Sequence, residues 1–183
     1  MTDPLRLGVI IGSIREGRFG PTVANWIAAQ ASQHPDMDVD LIDLIHYATP
    51  TPDARAFAER IKAADAYVIV TPEYNHGYPA PLKHAIDLCY AEWHAKPVGF
   101  VSYGGFAGGV RAVEQLRQVF AELHAVTIRD SVSFAGVHGK FDRDGTLKDP
   151  MPCETAAKDM LDQLAWWAHA LRDARAVRPY GTA

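Results

Sequence analysis

AYVIVTPEYNHGYPAPLKHAID, residues 66–87, is the stretch whose reading decides the fold. Ala66-Tyr67-Val68-Ile69-Val70 is continuously apolar and rich in β-formers, as expected of a strand covered on both faces. Leu82, Ala85, Ile86 and Cys89 fall at i, i+3, i+4 and i+7, which predicts a helix. Between them, Thr71 to Pro79 is too apolar and aromatic for an ordinary solvated loop, and prolines at both ends stiffen it. Open α/β sheets bind ligands at this kind of place, the carboxyl end of a parallel strand. A turn that merely packs on the domain is the competing reading.

Working outward, the same grammar recurs on both sides. Leu5 to Ile11 is an apolar strand that runs into Gly12-Ser13-Ile14-Arg15-Glu16-Gly17-Arg18-Phe19-Gly20 and then a helix with Pro21 in its first turn. Such a turn is a candidate phosphate cradle. Glycines let backbone N–H groups converge on an anion at a helix N-terminus. Ser13 adds a hydroxyl, and Arg15 and Arg18 add forked cations. The spacing from Gly12 to Gly17 matches the start of a nucleoside-triphosphate loop, but Arg18 and Phe19 stand where Lys and a magnesium-binding hydroxyl belong. The dinucleotide pattern GxGxxG is absent after this strand. A plain βα turn with two solvated arginines remains the alternative.

Met37 to Ile42 reads as a short second strand, followed by a connecting loop to Pro50. Thr51 as N-cap, Pro52 at N1 and Asp53 in the first turn predict a helix carrying Phe57 and Ile61 on its apolar face. Val98 to Tyr103 is the fourth strand and ends in Ser102-Tyr103-Gly104-Gly105-Phe106-Ala107-Gly108-Gly109, a second glycine-rich turn. A helix over about Val110 to His124 follows. Val126 to Phe134 is a fifth strand, broken or bulged near Arg129-Asp130. His138 to Pro150 is a charged loop in which Asp142-Arg143-Asp144-Gly145 forms a turn, because the later Glu of a calcium loop is missing. The last helix runs from about Cys153 to Ala174, with Trp166 and Trp167 broadening its apolar stripe, and Val177 to Ala183 is a frayed tail.

Length and composition suit one α/β domain over residues 1–183 with a sizeable core. The net charge of −4 contains no long single-sign block, which argues against a nucleic-acid surface. The opening MTDPLRLGVIIGS has neither the length nor the flanks of a signal peptide or membrane span. Cys89 and Cys153 form no CxxC pair and have no metal spacing, so a reducing cytoplasm is expected, with no metal site. Five strands alternating with five helices imply a three-layer α/β sandwich around a five-stranded parallel sheet. The order 2-1-3-4-5 brings all three ligand-competent turns to one edge. A ligand fitting them has a phosphate at one end and a flat polar ring at the other, the shape of flavin mononucleotide (FMN).

GSIREGRFG, TPEYNHGYPAPLKHAID and SYGGFAGG, in this order and spacing, resemble the NAD(P)H-dependent FMN reductase family of the flavodoxin-like fold. The family includes quinone, azo-dye and chromate reductases, and the resemblance covers nearly the whole chain. It implies that Ser13, Arg15, Arg18, Phe19 and Gly20 hold the FMN phosphate. Members often carry Ser and Asn where this chain has Arg18 and Gly20. It implies that Pro72, Glu73, Tyr74 and Asn75 line the isoalloxazine edge and that Ser102, Gly104 and Gly105 face its pyrimidine side. Tyr103 belongs to the same wall, and with Tyr78 and Phe106 shapes the slot for the second substrate.

The implied reaction takes hydride from NADPH or NADH to the flavin and passes electrons to a quinone, free flavin, azo compound or similar acceptor. No side chain is assigned a proton transfer, since the cofactor carries the chemistry. His76 lies beside the site in sequence, with turn packing as its other reading. The resemblance further implies a homodimer or homotetramer. Two other functions compete: a flavodoxin-type electron carrier that does not oxidise nicotinamide, and a scaffold with an empty sheet edge. Carriers are usually more acidic than this chain.

Overall fold

A computed structural model describes residues 3–47 and 54–181. The helix-capping reading of Thr51, Pro52 and Asp53 lies outside the described residues, as do the last two residues of the tail. The sheet has five parallel strands in the order β2-β1-β3-β4-β5. These are β1 (Leu5–Ile11), β2 (Met37–Asp43), β3 (Ala66–Pro72), β4 (Pro97–Gly104) and β5 (Val126–Ala135). Among the described residues the α-helices are α1 (Gly20–Ala31), α2 (Ala54–Ala63), α3 (Ala80–Asp87), α4 (Val110–Glu122) and α5 (Pro150–Val177).

The unbroken apolar run of β3 has a direct cause. Successive side chains of a strand point to opposite faces. Val68 and Val70 enter one core, with Val23, Ile27, Leu161 and Leu164 from α1 and α5. Tyr67 and Ile69 enter the other, with Ile61, Leu82, Ile86, Leu116 and Phe120 from α2, α3 and α4. Both faces are covered, so polar alternation has no place in this strand.

Registry sets the positions of the loops. Ile11 pairs with Val70, Pro72 with Tyr103, and Gly104 with Ala135. The turns after β1, β3 and β4 therefore leave one edge side by side. The expected bulge in β5 is present: Val98 faces Thr127 but Phe100 faces Ser131, so extra residues of β5 are accommodated opposite Gly99.

Four local expectations change. α3 ends at Asp87, and Cys89 is buried beyond the helix rather than in it. α4 stops at Glu122, because Leu123 caps it and His124 takes a left-handed backbone with φ of 55°. α5 begins at Pro150, since Pro150 and Pro152 need no hydrogen-bond partner in a first turn. It runs to Val177, and Trp166 faces solvent while Trp167 packs on the core. The tail as far as Gly181 is docked rather than frayed: the Tyr180 hydroxyl lies 2.9 Å from His124 Nδ1.

Candidate flavin site

A cleft of about 390 Å³ opens at the carboxyl edge of the sheet, lined by Arg15 to Phe19, Pro72 to Tyr74, Tyr103 to Gly105, Val137 and His138. It continues into a hollow of about 240 Å³ bounded by Asn75, His76, Gly104 to Gly109 and Arg111. Glu73, Gly104 and Gly105 belong to both. Hollows of about 550 and 600 Å³ lie elsewhere, along α1 and α5, and touch none of the three loops. Size does not select the site; convergence of backbone donors and a free cation at strand ends does.

The first loop is folded by its own polar groups. Ser13 is fully buried, and its Oγ lies 2.7 Å from Tyr74 Oη. Arg15 is exposed, has no ion pair among the described residues, and stands over the Tyr74 ring at 5.9 Å. Arg18 is different. Its two terminal nitrogens donate to both Asp43 oxygens at 2.9 and 2.6 Å, and Nη1 also donates to the Ser13 carbonyl at 2.7 Å. The expectation that Arg18 offers its fork to a phosphate changes accordingly: the fork is spent on clamping the loop to the end of β2.

Gly20 is also a packing position. It is buried, and a Cβ there would stand 2.9 Å from Ile11 Cγ2 and 3.0 Å from Tyr103 Oη. It lines neither hollow. Phe19 lines the cleft and meets His138 and Phe141 edge-on, at 5.2 and 5.6 Å between ring centres.

In the second loop, Tyr74 and Gly77 exchange backbone hydrogen bonds at 2.8 and 3.0 Å. Asn75 and His76 between them have φ of 50° and 70°. Two left-handed residues inside a mutually bonded pair form a primed hairpin turn. Asn accepts that backbone readily; for His76 it costs roughly 1 kcal/mol, which neighbouring contacts offset. Glu73 is not free for chemistry. Its nearly buried carboxylate receives Arg111 Nε at 2.5 Å and the Arg111 backbone N–H at 3.3 Å.

The third loop corrects another expectation. Ser102 does not face the cleft: its Oγ donates to the Gly108 carbonyl at 2.8 Å, and Ser133 donates to the same oxygen at 2.9 Å. Together they curl the loop into the start of α4. Gly109 there has φ of 88°, and a Cβ would lie 2.8 Å from Ser102 Cβ, so only glycine fits. Gly104 and Gly105 border both hollows, and Gly105 has open space where a side chain would be.

Tyr103 is buried, and its Oη has no hydrogen-bond partner among the described residues. Burial, with Tyr74 beside it, pushes its hydroxyl well above the ordinary phenol range, so it stays protonated. An orphaned donor in a cleft wall is an open place for a polar ligand atom.

The residues present fit FMN on these grounds. An exposed arginine with no ion pair among the described residues could receive a phosphate, exposed glycine backbone could meet a ring edge, and an unsatisfied hydroxyl lies between loops. His138, Val137, Asp43 and Arg111 were not among the expected site residues. His138 and Val137 follow β5 in a stretch that reads only as charged loop. Asp43 has a weak signal in sequence, an acid at the end of the strand next to β1.

Comparison with known proteins agrees with this geometry. The sequence profile of the NADPH-dependent FMN reductases matches residues 5–139. An NAD(P)H-dependent FMN reductase of Schizosaccharomyces pombe is 38% identical over 127 residues, which span 61% of this chain and 63% of that protein. A probable NADPH:quinone oxidoreductase of Oryza sativa is 31% identical over 180 residues, spanning 88% of this chain and 91% of that one. Among solved structures, the flavoenzyme NAD(P)H:acceptor oxidoreductase FerB of Paracoccus denitrificans superposes with a TM-score of 0.69 over 91% of this chain and 98% of its own, at 21% identity. Sheet order, clustered loops and sequence likeness converge: the chain belongs to the NADPH-dependent FMN reductase family and is an FMN-dependent NAD(P)H oxidoreductase.

Proposed function

We propose that the chain, acting as a single FMN-binding domain, holds the FMN phosphate at Arg15 and the ring edge along Pro72 to Asn75 and Gly104-Gly105. In this reading it reduces a quinone or similar small acceptor with NADPH or NADH. The carrying observation is that Arg15 is the unpaired cation at one end of the same cleft whose other end is glycine backbone. FMN held there would supply the two-electron chemistry that links a nicotinamide to the acceptor.

The protein's part is placement. Arg15 attracts the dianion, aided by the N-terminus of α1. Arg18 and Asp43 keep the first loop rigid around it. Pro72 and the hairpin turn present backbone groups at a fixed height on one side. The start of α4, reached through Gly109, puts the positive end of a helix at the second hollow, where it would stabilise negative charge on a reduced ring. Glu73 is tied to Arg111, and the Tyr103 hydroxyl keeps its proton, so neither serves as a base.

No helix among the described residues is long and apolar enough to cross a membrane. We place the protein in the cytoplasm on its free thiols and read it as a homodimer or homotetramer. Exposed Phe106, Met151 and Trp166 are candidates for burial in that assembly. Sedimentation velocity tests the oligomer.

One set of spectra tests the function. The protein mixed with FMN should show a bound-flavin spectrum that bleaches with NADPH or NADH and recovers when quinone is added. Failure to take up FMN removes the reading; uptake without bleaching by either nucleotide makes the protein a carrier.

A further inference from the structure

One side chain joins two loops of the site, and the reaction outlined above does not use it. Arg111, in the first turn of α4, donates through Nε and Nη2 to Glu73 and through Nη1 to His76 Nε2 at 3.0 Å. From the next turn of α4, Gln115 Nε2 donates to the His76 carbonyl at 2.9 Å. Glu73 and His76 flank Tyr74 and Asn75, so the hairpin turn is gripped at both ends. α4 itself grows out of the Gly104–Gly109 loop. The Arg111 guanidinium, with Gln115 beside it, therefore ties together the two loops that bound the ring end of the cleft.

The Glu73 side chain is only 7% exposed, so an uncompensated charge there is costly. His76 holds a left-handed backbone that histidine does not prefer. Each end of the turn depends on Arg111 for a reason of its own.

We propose that Arg111 is a positioning residue that latches the 73–76 turn to α4, and that the latch opens when His76 is protonated. The chemistry forces the second half. Arginine has donors only, so His76 Nε2 must accept, with the ring neutral and its proton on Nδ1. A protonated ring sets a donor against a donor and a cation against a cation. Among the described residues, the charged group in contact with His76 is Arg111 from α4, with Glu73 of its own turn bonded to the same guanidinium and Gln115 neutral beside them. Glu73 already has Arg111, which limits how far it can compensate. Acidification therefore loosens the turn, and with it the ring end of the site.

The proposal rests on the flavin reading of the site, so its test has one arm that needs no flavin. In the ligand-free protein, amide hydrogen exchange at Tyr74 and Gly77 should speed up about tenfold or more in Arg111→Met, with amides of β1 and β3 unchanged. Arg111→Lys, which reaches Glu73 but cannot bridge to His76, should fall between. In the second arm, the FMN dissociation constant is followed by flavin fluorescence from pH 5 to 8. Wild type should bind more weakly as pH falls, and His76→Gln, whose amide oxygen accepts at every pH, should flatten that profile. Arg111→Met should weaken FMN about tenfold at pH 8.

Exchange in Arg111→Met equal to wild type overturns the latch, as does a His76→Gln profile that still follows wild type. If wild type takes up no FMN while the exchange arm behaves as stated, the latch stands and the flavin reading falls. Thermal unfolding of each variant shows that it is folded. A global loss of protection in Arg111→Met leaves the decision to Arg111→Lys: wild-type exchange there overturns the latch, and faster exchange confined to the turn supports it.

Discussion

The hydroxyls of Ser13 and Tyr74 lie 2.7 Å apart, so the loops after β1 and β3 are hydrogen-bonded to each other across the cleft. Either atom can donate. Ser13 is fully buried, whereas Arg15 two residues on is exposed, with no ion pair among the described residues. The site thus has a latched inner wall and an open cationic rim. Under the proposed reading, a phosphate arriving at Arg15 would have to displace Tyr74 to reach the Ser13 hydroxyl.

Tyr74→Phe removes that bond and leaves the ring in place. A neutral hydrogen bond of this kind contributes about 1 kcal/mol. Urea unfolding of the ligand-free protein should show a loss of that size, while FMN association, followed by stopped-flow fluorescence, becomes faster because no partner has to be exchanged. Slower association in the variant would mean that Tyr74 helps capture the phosphate instead of shielding Ser13.

The two arginines of the first loop should separate cleanly. Arg15→Gln leaves stability within about 0.5 kcal/mol, as for an exposed unpaired side chain. It should weaken FMN at least tenfold while hardly affecting riboflavin, which lacks the phosphate. Arg18→Ala should instead cost about 2 kcal/mol of stability, because it leaves the half-buried Asp43 carboxylate unpaired. Titration with the two flavins and urea melts of both variants check this. Equal loss of FMN and riboflavin in Arg15→Gln would count against a phosphate end at Arg15.

At the opposite edge of the sheet, Lys96 is buried, with Nζ 2.8 and 2.9 Å from the carbonyls of Ile61 and Lys62 and 3.1 Å from Tyr67 Oη. Burial, reinforced by Arg175, pushes its pKa down to about 7 from an ordinary 10.5. Between those values the unfolded chain holds a proton that the folded chain does not. Stability therefore rises with pH across the window and levels off below 7. Above 9 the sign is opposed by Cys89, whose thiol burial holds up to about 12. Urea unfolding of wild type against Lys96→Met from pH 6.5 to 8.5 should show a difference that shifts in favour of wild type as pH rises. A constant difference would mean Lys96 keeps its proton in the fold.

Gly109→Ala tests the turn into α4. The added methyl meets Ser102 Cβ and the Tyr103 backbone at a φ of 88°, so a loss of about 1–3 kcal/mol is expected. The circular dichroism melt should fall, and the flavin site should weaken with it, since Gly104 and Gly105 are displaced. Gly105→Ala, with open space around it, should melt like wild type. A melt unchanged in both would mean the loop yields without strain.

Much of this architecture was legible in the chain. Tyr67, Val68, Ile69 and Val70 have no polar alternation, and only a strand covered on both faces allows that. The three turn motifs each follow such a strand, which places them at one edge once crossovers are right-handed. Arg15 and the Gly104-Gly105 pair could be assigned to the rim because their chemistry is local: one is a long cation, the other is bare backbone. Arg18, Gly20 and Ser102 were read the same way and behave differently. What they do depends on Asp43, Tyr103 and Gly108, and no local pattern announces those partners.

The alternation of apolar strands and amphipathic helices determined by itself the layers and the edge where the site lies, because periodicity and crossover handedness follow from the backbone; the order 2-1-3-4-5 is one of the orders that this alternation allows, and the folded sheet selects it. Which polar side chains stay available on that edge was decided only by the folded chain. Arg18 found Asp43, Glu73 and His76 found Arg111, and Ser13 found Tyr74, over separations of 25 to 61 positions. A hydrogen bond is specified by the meeting of two groups in space, and the residues between them carry no record of it.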